Sequence, residues 1–354
     1  MDYGFDTIGN ATVICYDEKP VLVTDPWVDG SPYFGSWAHA YEIPEEQREA
    51  ILACRYVWFS HGHPDHLAAE SLELFRSRQI LLPDHVGRRM RDELTEAGFK
   101  VTVLPDRKWV TLSSRIRVLC IADESQNAVL LIDLGGRLLV NLNDCIDRGW
   151  GRFVRKVIRR YDDSVLLSLT GYGDADMINF WSEDGTFIVP PAAAKLPIGP
   201  IAAAKAESFG CKRFVPFSCM HVYQRSDSIW AQPYATPIED HYIGFESETV
   251  EALPAFVRFF GDDGTYVPIM PKRAEARVVD PIAFGDDWSD SLERTDVLAV
   301  TDYFRSFHHL RTFLDFINVR VGGRDHVIEF RASKFDRGLT FEVIEAAEAF
   351  FTIV

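Results

Sequence analysis

The chain has 354 residues, 47% of them hydrophobic and 25% charged, with a formal net charge of -16 at pH 7. That length and balance suit a globular fold with a large core, one large domain with a smaller one attached. The charge argues against nucleic acid and anionic membrane as general partners, because a polyanion is repelled over most of the surface.

In chain order, residues 1–27 lack a basic region followed by an apolar one, and no stretch reaches transmembrane length, so a cytoplasmic location is expected. Residues 11–17 (ATVICYD), 20–26 (PVLVTDP) and 56–61 (YVWFSH) predict strands. Residues 65–78 carry a helical apolar stripe, with the helix starting near Asp65. Strands follow at 79–84 and 100–106, separated by an amphipathic stretch over 84–99 whose helix ends before Gly98. Residues 116–124 form another strand, and 128–145 a hairpin turning at Gly135–Gly136. Further strands lie at 164–169 and 212–223, and a helix over 202–210 ends at Gly210. The stretch 232–290 is rich in Pro, Gly and Asp and predicts loops; beyond it come a long helix at 295–317, a hairpin at 318–330 and a strand at 339–346. Helices interleaved with buried strands predict an α/β architecture with helices outside two packed sheets. The expected division is a catalytic domain over 1–250, a loop-rich connection over 251–290 and a small C-terminal α+β unit over 291–354. The six cysteines (Cys15, Cys54, Cys120, Cys145, Cys211, Cys219) form no CxxC pair, mostly sit in apolar runs and predict reduced core thiols.

The densest chemical signal is HGHPDH at 61–66, in the loop after an apolar strand. His61 and His63 alternate onto one side, while Asp65 and His66 point to a neighbouring position, so one loop can serve two metals. Partners should come from other strand ends. Asp144 ends an apolar strand, where a carboxylate is unfavourable unless paired or bound, and fits a bridging ligand. His221 ends another apolar run and is a further ligand candidate. Asp25 occupies a similar place, suited to orienting a ligand histidine through its other ring nitrogen. Asp65 and Asp25 are the carboxylates expected to serve catalysis.

HGHPDH, with Asp25 before it and Asp144 and His221 after it, resembles the metallo-β-lactamase superfamily over roughly residues 8–225. The resemblance implies an αββα sandwich with a binuclear site at one edge, followed here by the small C-terminal α+β extension. The stretches DPWVDGSPYFGSW, LLVNLNDC and RFVPFSC are closer still to the metallo-β-lactamase-like part of the CMP-N-acetylneuraminate hydroxylase group, although this sequence holds no Cys/His pairs suited to an iron–sulfur cluster. The superfamily places a third histidine ligand before the Asp144 hairpin. IRVLCIADESQN offers Asp123 and Glu124 there instead, Glu124 being preferred for the longer side chain that reaches from a strand end, and resembles the diiron β-hydroxylase branch. A carboxylate in that slot hardens the ligand set and favours iron, while zinc or manganese also fits.

The expected activity is that of a dinuclear non-heme iron oxygenase acting on a small molecule with O2, with an electron-donor protein as partner. The alternative is a dinuclear zinc hydrolase of an ester, amide or phosphoester. A non-catalytic scaffold fits poorly, since such proteins lose ligands and this one keeps nearly all. Trp27, Tyr33, Phe34 and Trp37 are candidates for an aromatic wall over the metals, with Tyr172, Asp174, Tyr223 and Arg225 as further substrate contacts. His85, at another strand end, is either a substrate-facing acid/base or a surface histidine at a helix start. The His308–His309 pair reads as part of a helix face.

Overall fold

Short apolar runs set the strands, and the turns between them bring the ends of those strands to a common edge. The computed structural model describes residues 2–171 and 197–287 with their side chains, residues 293–295 and 298–299, and backbone strands at 180–181, 187–188, 316–322, 326–333, 339–345 and 351–353. The chain divides into two compact units, 1–171 with 196–279, and 172–195 with 280–354.

The strands of the first unit begin with β1 (Tyr3–Ile8), β2 (Thr12–Asp17), β3 (Lys19–Thr24), β4 (Trp37–His39), β5 (Tyr56–Trp58), β6 (Gln79–Leu82), β7 (Lys100–Val103) and β8 (Trp109–Thr111). They continue with β9 (Ile116–Ala122), β10 (Ala128–Leu134), β11 (Arg137–Asn143) and β12 (Ser164–Ser168). After β13 (Phe180–Trp181) and β14 (Phe187–Ile188), which belong to the second unit, come β15 (Arg213–Pro216), β16 (His221–Tyr223), β17 (Glu251–Ala252), β18 (Val257–Phe260) and β19 (Thr265–Pro268). The helices of the first unit are α1 (Glu45–Ala53), α2 (Ala69–Leu72), α3 (Arg89–Glu96), α4 (Gly151–Ile158) and α5 (Ile198–Phe209).

One sheet runs β19-β18-β1-β2-β3-β5-β6-β7, the other β17-β15-β12-β11-β10-β9-β8, and β4 and β16 pair as a ribbon. Phe5, Val13, Cys15 and Trp58 from the first sheet share one core with Val118, Cys120, Leu130 and Leu167 from the second, so the sheets pack face to face. On the outside of the first sheet, Ile14, Val23, Val57 and Ile80 meet Ile51 of α1 and Leu94 of α3. On the outside of the second, Leu131, Val140 and Leu166 meet Val154 of α4 and Ala206 of α5. This is an αββα sandwich. The expected turn at Gly135 and Gly136 joins β10 to β11 with φ +59° and +90°, values that side-chain-bearing residues adopt only with strain. All six cysteines are buried and unpaired with one another.

Three expectations change. Residues 251–268, read as loop, supply β17, β18 and β19, which extend both sheets; the Pro and Gly residues there separate strands too short to show a clear period. The helix expected from Asp65 begins only at Ala69, because residues 63–67 fold into a turn closed by the bonds from His66 and Leu67 N–H to the His63 carbonyl. The long helix at 295–317 lies largely outside the described residues, and its last two residues, Phe316 and Ile317, open strand β20 (Phe316–Gly322). In the second unit β20 pairs with β21 (His326–Ser333) as the expected hairpin, flanked by β22 (Leu339–Glu345) and β23 (Phe351–Ile353), while β13 pairs with β14.

Candidate metal centre

Strands β3, β5 and β6 are parallel neighbours, and so are β11, β12 and β15. Their C-terminal ends deliver Asp25, the 61–66 loop, His85, Asp144 and Ser218 to one edge of the sandwich, and β9 delivers Asp123. The hairpin tip between β1 and β2 adds Asn10, reached through Gly9 at φ +63°.

A single oxygen, Asp144 Oδ2, organises the cluster. His61 Nε2 lies 3.5 Å from it, His63 Nδ1 3.9 Å and His66 Nε2 3.4 Å. Asp65 Oδ2 is 3.2 Å from His66 Nε2. Donors bound about 2.1 Å from a common ion sit roughly 3.0–3.4 Å apart, so these separations match or slightly exceed those of atoms sharing a cation. His61, His63 and Asp144 offer three ligand atoms within 4.8 Å of one another. His61 is buried, whereas the His63 side chain is 60% exposed and marks the open side.

The surrounding hydrogen bonds set the orientation of each donor. Ser60 donates to Asp25 through both its N–H (2.7 Å) and its hydroxyl (2.8 Å), so the 2.8 Å contact between Ser60 Oγ and His61 Nδ1 is donated by the ring. That assignment leaves His61 Nε2 as the lone pair facing Asp144. Asn143 also bonds Asp25, and donates to Ser60 Oγ at 2.8 Å. Asp25 Oδ2 stands 3.2 Å from His66 Nδ1. Asn10 Nδ2 and the Tyr33 hydroxyl hold Asp65 at 2.9 and 2.7 Å, and Ser218 donates to Asp144 Oδ1 at 2.7 Å.

Electrostatics point the same way. Burial, then the neighbouring His66, pulls the His61 imidazole down to about 2 and keeps its lone pair available. Burial alone would lower His66, but Asp65 and Asp144 outweigh it and hold that ring well above its ordinary range. Burial alone would raise Asp144, yet His66 and its bonds to His63 and His66 hold it well below the usual carboxylate range. A field that draws a proton onto a buried imidazole between carboxylates also favours a bound cation. With the orphaned His61 Nε2 and the donor set, it fits a bound metal ion.

The remaining expected residues sort clearly. Asp123 is buried; its Oδ1 accepts from Ser125 N–H (2.8 Å), the Ser125 hydroxyl (2.6 Å) and Asn127 N–H (3.2 Å), while Oδ2 is buried without a partner. Glu124, the preferred of the two from the sequence, is exposed instead, because the tight turn at 123–127 points successive side chains apart. His221 lies in the β16–β4 ribbon opposite His39, its ring stacked at 3.5 Å on Trp37. It is outside the 4.8 Å cluster. Trp37 meets Tyr33 at 4.5 Å and Tyr223 edge-on at 5.9 Å, so the aromatic chain runs from His221 to the Tyr33–Asp65 bond. Trp27 does not line an open wall: it is fully buried and stacks on His39 at 3.9 Å. Phe34 turns away, 78% exposed, and Arg225 is buried, donating to the Phe34 carbonyl. His85 is not a surface histidine but 7% exposed, held 3.0 Å from the Ser60 carbonyl. Tyr172, Asp174 and the His308–His309 pair lie outside the described residues. Asn10, Ser60, Asn143 and Ser218 escaped the sequence reading, since lone small polar residues in turns carry no spacing signal.

No known protein-family profile matches the chain. It is 26% identical over 175 residues to the cytidine monophosphate-N-acetylneuraminic acid hydroxylase of Macaca mulatta, a match covering 46% of this chain and 30% of that protein. The chain thus spans about a third of the length of the curated relatives it matches. Its structural neighbours are metallo-β-lactamase-fold proteins. They include CmlA, a diiron β-hydroxylase from Streptomyces venezuelae (TM-score 0.46, 13% identity, 73% of this chain and 54% of that one). YhfI, a metallo-β-lactamase-fold protein from Bacillus subtilis, is another (TM-score 0.42, 11% identity, 73% of this chain and 99% of that one). Hydrolases also occur among them.

Proposed function

We propose that this chain is a dinuclear non-heme iron oxygenase that oxidises a small molecule with O2. The observation that carries this reading is Asp123: a buried carboxylate oxygen without a partner stands where the resemblance places a third imidazole. With Asp65 and Asp144 it makes the donor set oxygen-rich, and hard anionic donors suit iron or manganese better than zinc. The hydroxylase name of the macaque relative supports the same class. The proposed sets are His61, His63 and Asp123 for one ion, Asp65, His66 and His221 for the other, with Asp144 between them.

The chemistry supplied by such a pair when bound is dioxygen activation if it is iron, and activation of water if it is zinc. The chain's own residues orient and exclude. Asn10 and Tyr33 fix Asp65, Ser218 fixes Asp144, and Ser60 passes the Asp25 carboxylate's hold on to His61. Tyr33, Trp37 and Tyr223 form the apolar side against which a substrate would lie. Inserting one oxygen atom of O2 into a substrate consumes two further electrons, so an electron-donor protein is the proposed partner.

Protein isolated aerobically from iron-replete cells is expected to carry close to two irons per chain, with an absorption that bleaches on reduction and returns with O2. Zinc as the only metal, together with anaerobic turnover of aryl phosphodiesters or thioesters, would establish the hydrolase instead; the imidazoles of His61 and His63 beside Asp144 are compatible with that outcome.

A further inference from the structure

One cation at the C-terminal end of β12 has no part in the donor set. Lys205 of α5 is partly buried, and its Nζ donates to the Leu169 carbonyl at 3.2 Å. Leu169 in turn donates its N–H to the Asn143 carbonyl at 3.0 Å, and Asn143 immediately precedes Asp144. Ala202 and Ala206 of the same helix pack in one cluster with Cys145, so α5 is seated against the segment that bears the carboxylate. An ammonium has three donors and no acceptor, and here one donor is used. Among the described residues no carboxylate pairs with Lys205, whereas Arg225, Arg213 and Arg258 sit on Asp227, Asp163 and Asp6. Arg78 also rests on a carbonyl, that of Leu52, but it precedes β6 at the end of the strands opposite to the centre. Burial pulls the Lys205 ammonium down to about 8 against the upward pull of Cys145 and Asp144, so it is largely charged at pH 7. A partly desolvated cation with unused donors is costly unless an anion completes it.

We propose that Lys205 is a specificity-determining residue of the centre, binding a carboxylate or phosphate group of the substrate beside Asp144, so that the small molecule acted on is an anion. The inference rests on the reading of this edge as a metal centre. Lysine is a point charge with rotatable donors, which suits either group without the fixed fork of an arginine. The placement follows from the fold: β11 and β12 pair in parallel with Asn143 opposite Ser168, so the residues after them, Asp144 and Leu169, leave the sheet side by side.

The test is calorimetric titration of the full chain, loaded with Co(II), with inorganic phosphate, with benzoate, and with imidazole as a metal ligand that carries no negative charge. Lys205→Gln retains an amide able to donate to the Leu169 carbonyl but has no charge. K205Q is expected to bind phosphate or benzoate about tenfold or more weakly than wild type, while Lys205→Arg stays within about threefold. Imidazole affinity and Co(II) content should be the same in all three proteins. The anion whose binding falls further identifies the group that Lys205 holds. Unchanged affinity for both anions in K205Q would overturn the assignment, as would failure of the wild type to bind either. Equal weakening of imidazole, or loss of Co(II), would overturn it too by marking Lys205 as a structural support of the Asp144 segment. Absence of Co(II) uptake by the wild type would overturn the metal-centre reading instead, and the phosphate and benzoate affinities of wild type and K205Q, measured on the protein as isolated, would still decide the role of Lys205.

Discussion

Four residues around the candidate centre hold backbone angles that side chains rarely adopt: Asp25 (φ 40°), Tyr33 (φ 55°), Asn143 (φ 53°) and Ser218 (φ 63°). Each bonds a proposed ligand or the residue that holds one, so these four strained positions aim polar groups inward. Asn10 does the same without a ligand role of its own. Its Nδ2 donates to Asp65 at 2.9 Å and its Oδ1 accepts from the Met220 N–H at 2.8 Å, so one amide ties the HGHPDH loop to the segment leading to His221. Asn10→Ala leaves the buried Met220 N–H unpaired and is expected to cost about 1–3 kcal/mol in chemical denaturation. It should also weaken metal affinity roughly 10–100-fold by competition with a chelating dye. Wild-type affinity in N10A would show that Asp65 keeps its orientation without the amide. The ligand candidates were legible because several histidines and carboxylates recur at fixed spacing, whereas Asn10 acts through a contact 55 residues away in sequence.

At the scale of elements, continuous apolar runs identified most of the sandwich strands, while β1, β4, β8 and β17–β19 passed unseen; all but β1 are four residues or shorter, too short to show a period, and β8, β17 and β19 lie at sheet edges. One tie across the sandwich is testable. Asp17, at the end of β2 in the first sheet, accepts from Ser114 Oγ (2.7 Å), Arg115 N–H (3.1 Å) and Arg115 Nη1 (3.2 Å) in the turn before β9 of the second. Burial alone would raise its pKa, but the bonds from Ser113, Ser114 and Arg115 outweigh it and hold the carboxyl below its ordinary value. A carboxyl depressed in the folded state stabilises above the unfolded value and loses that contribution as pH falls through the folded one. Asp17→Asn is therefore expected to destabilise by about 1–3 kcal/mol at pH 7. The gap between variant and wild type should close in acid, below pH of about 4. A gap independent of pH in urea titrations would assign the effect to packing.

At the scale of the molecule, every described residue proposed as a ligand lies in the unit formed by 1–171 and 196–279. A ligand that binds only the native form of one unit raises the unfolding temperature of that unit alone. Calorimetry of the full chain is expected to resolve two transitions. Metal at about a hundred times its dissociation constant should raise the larger one by roughly 5–10 °C and leave the other in place. A single transition shifted as a whole would show that the two units unfold together. Among the described residues no helix is long and apolar enough to cross a membrane.

By itself, the sequence determined the layered α/β class, most strand positions, the HGHPDH loop and the candidacy of Asp25, Asp144 and His221, because alternating burial and clustered donors leave marks at short range. Only the tertiary structure turned Asp123 into the interior and Glu124 to solvent across one tight turn. It alone buried Trp27, joined His221 to Trp37 and brought His85 beside Ser60. The physical reason is that a side chain's direction at a strand end depends on which neighbouring strand and turn receive it. That pairing is fixed by contacts dozens of residues apart, which local periodicity does not encode.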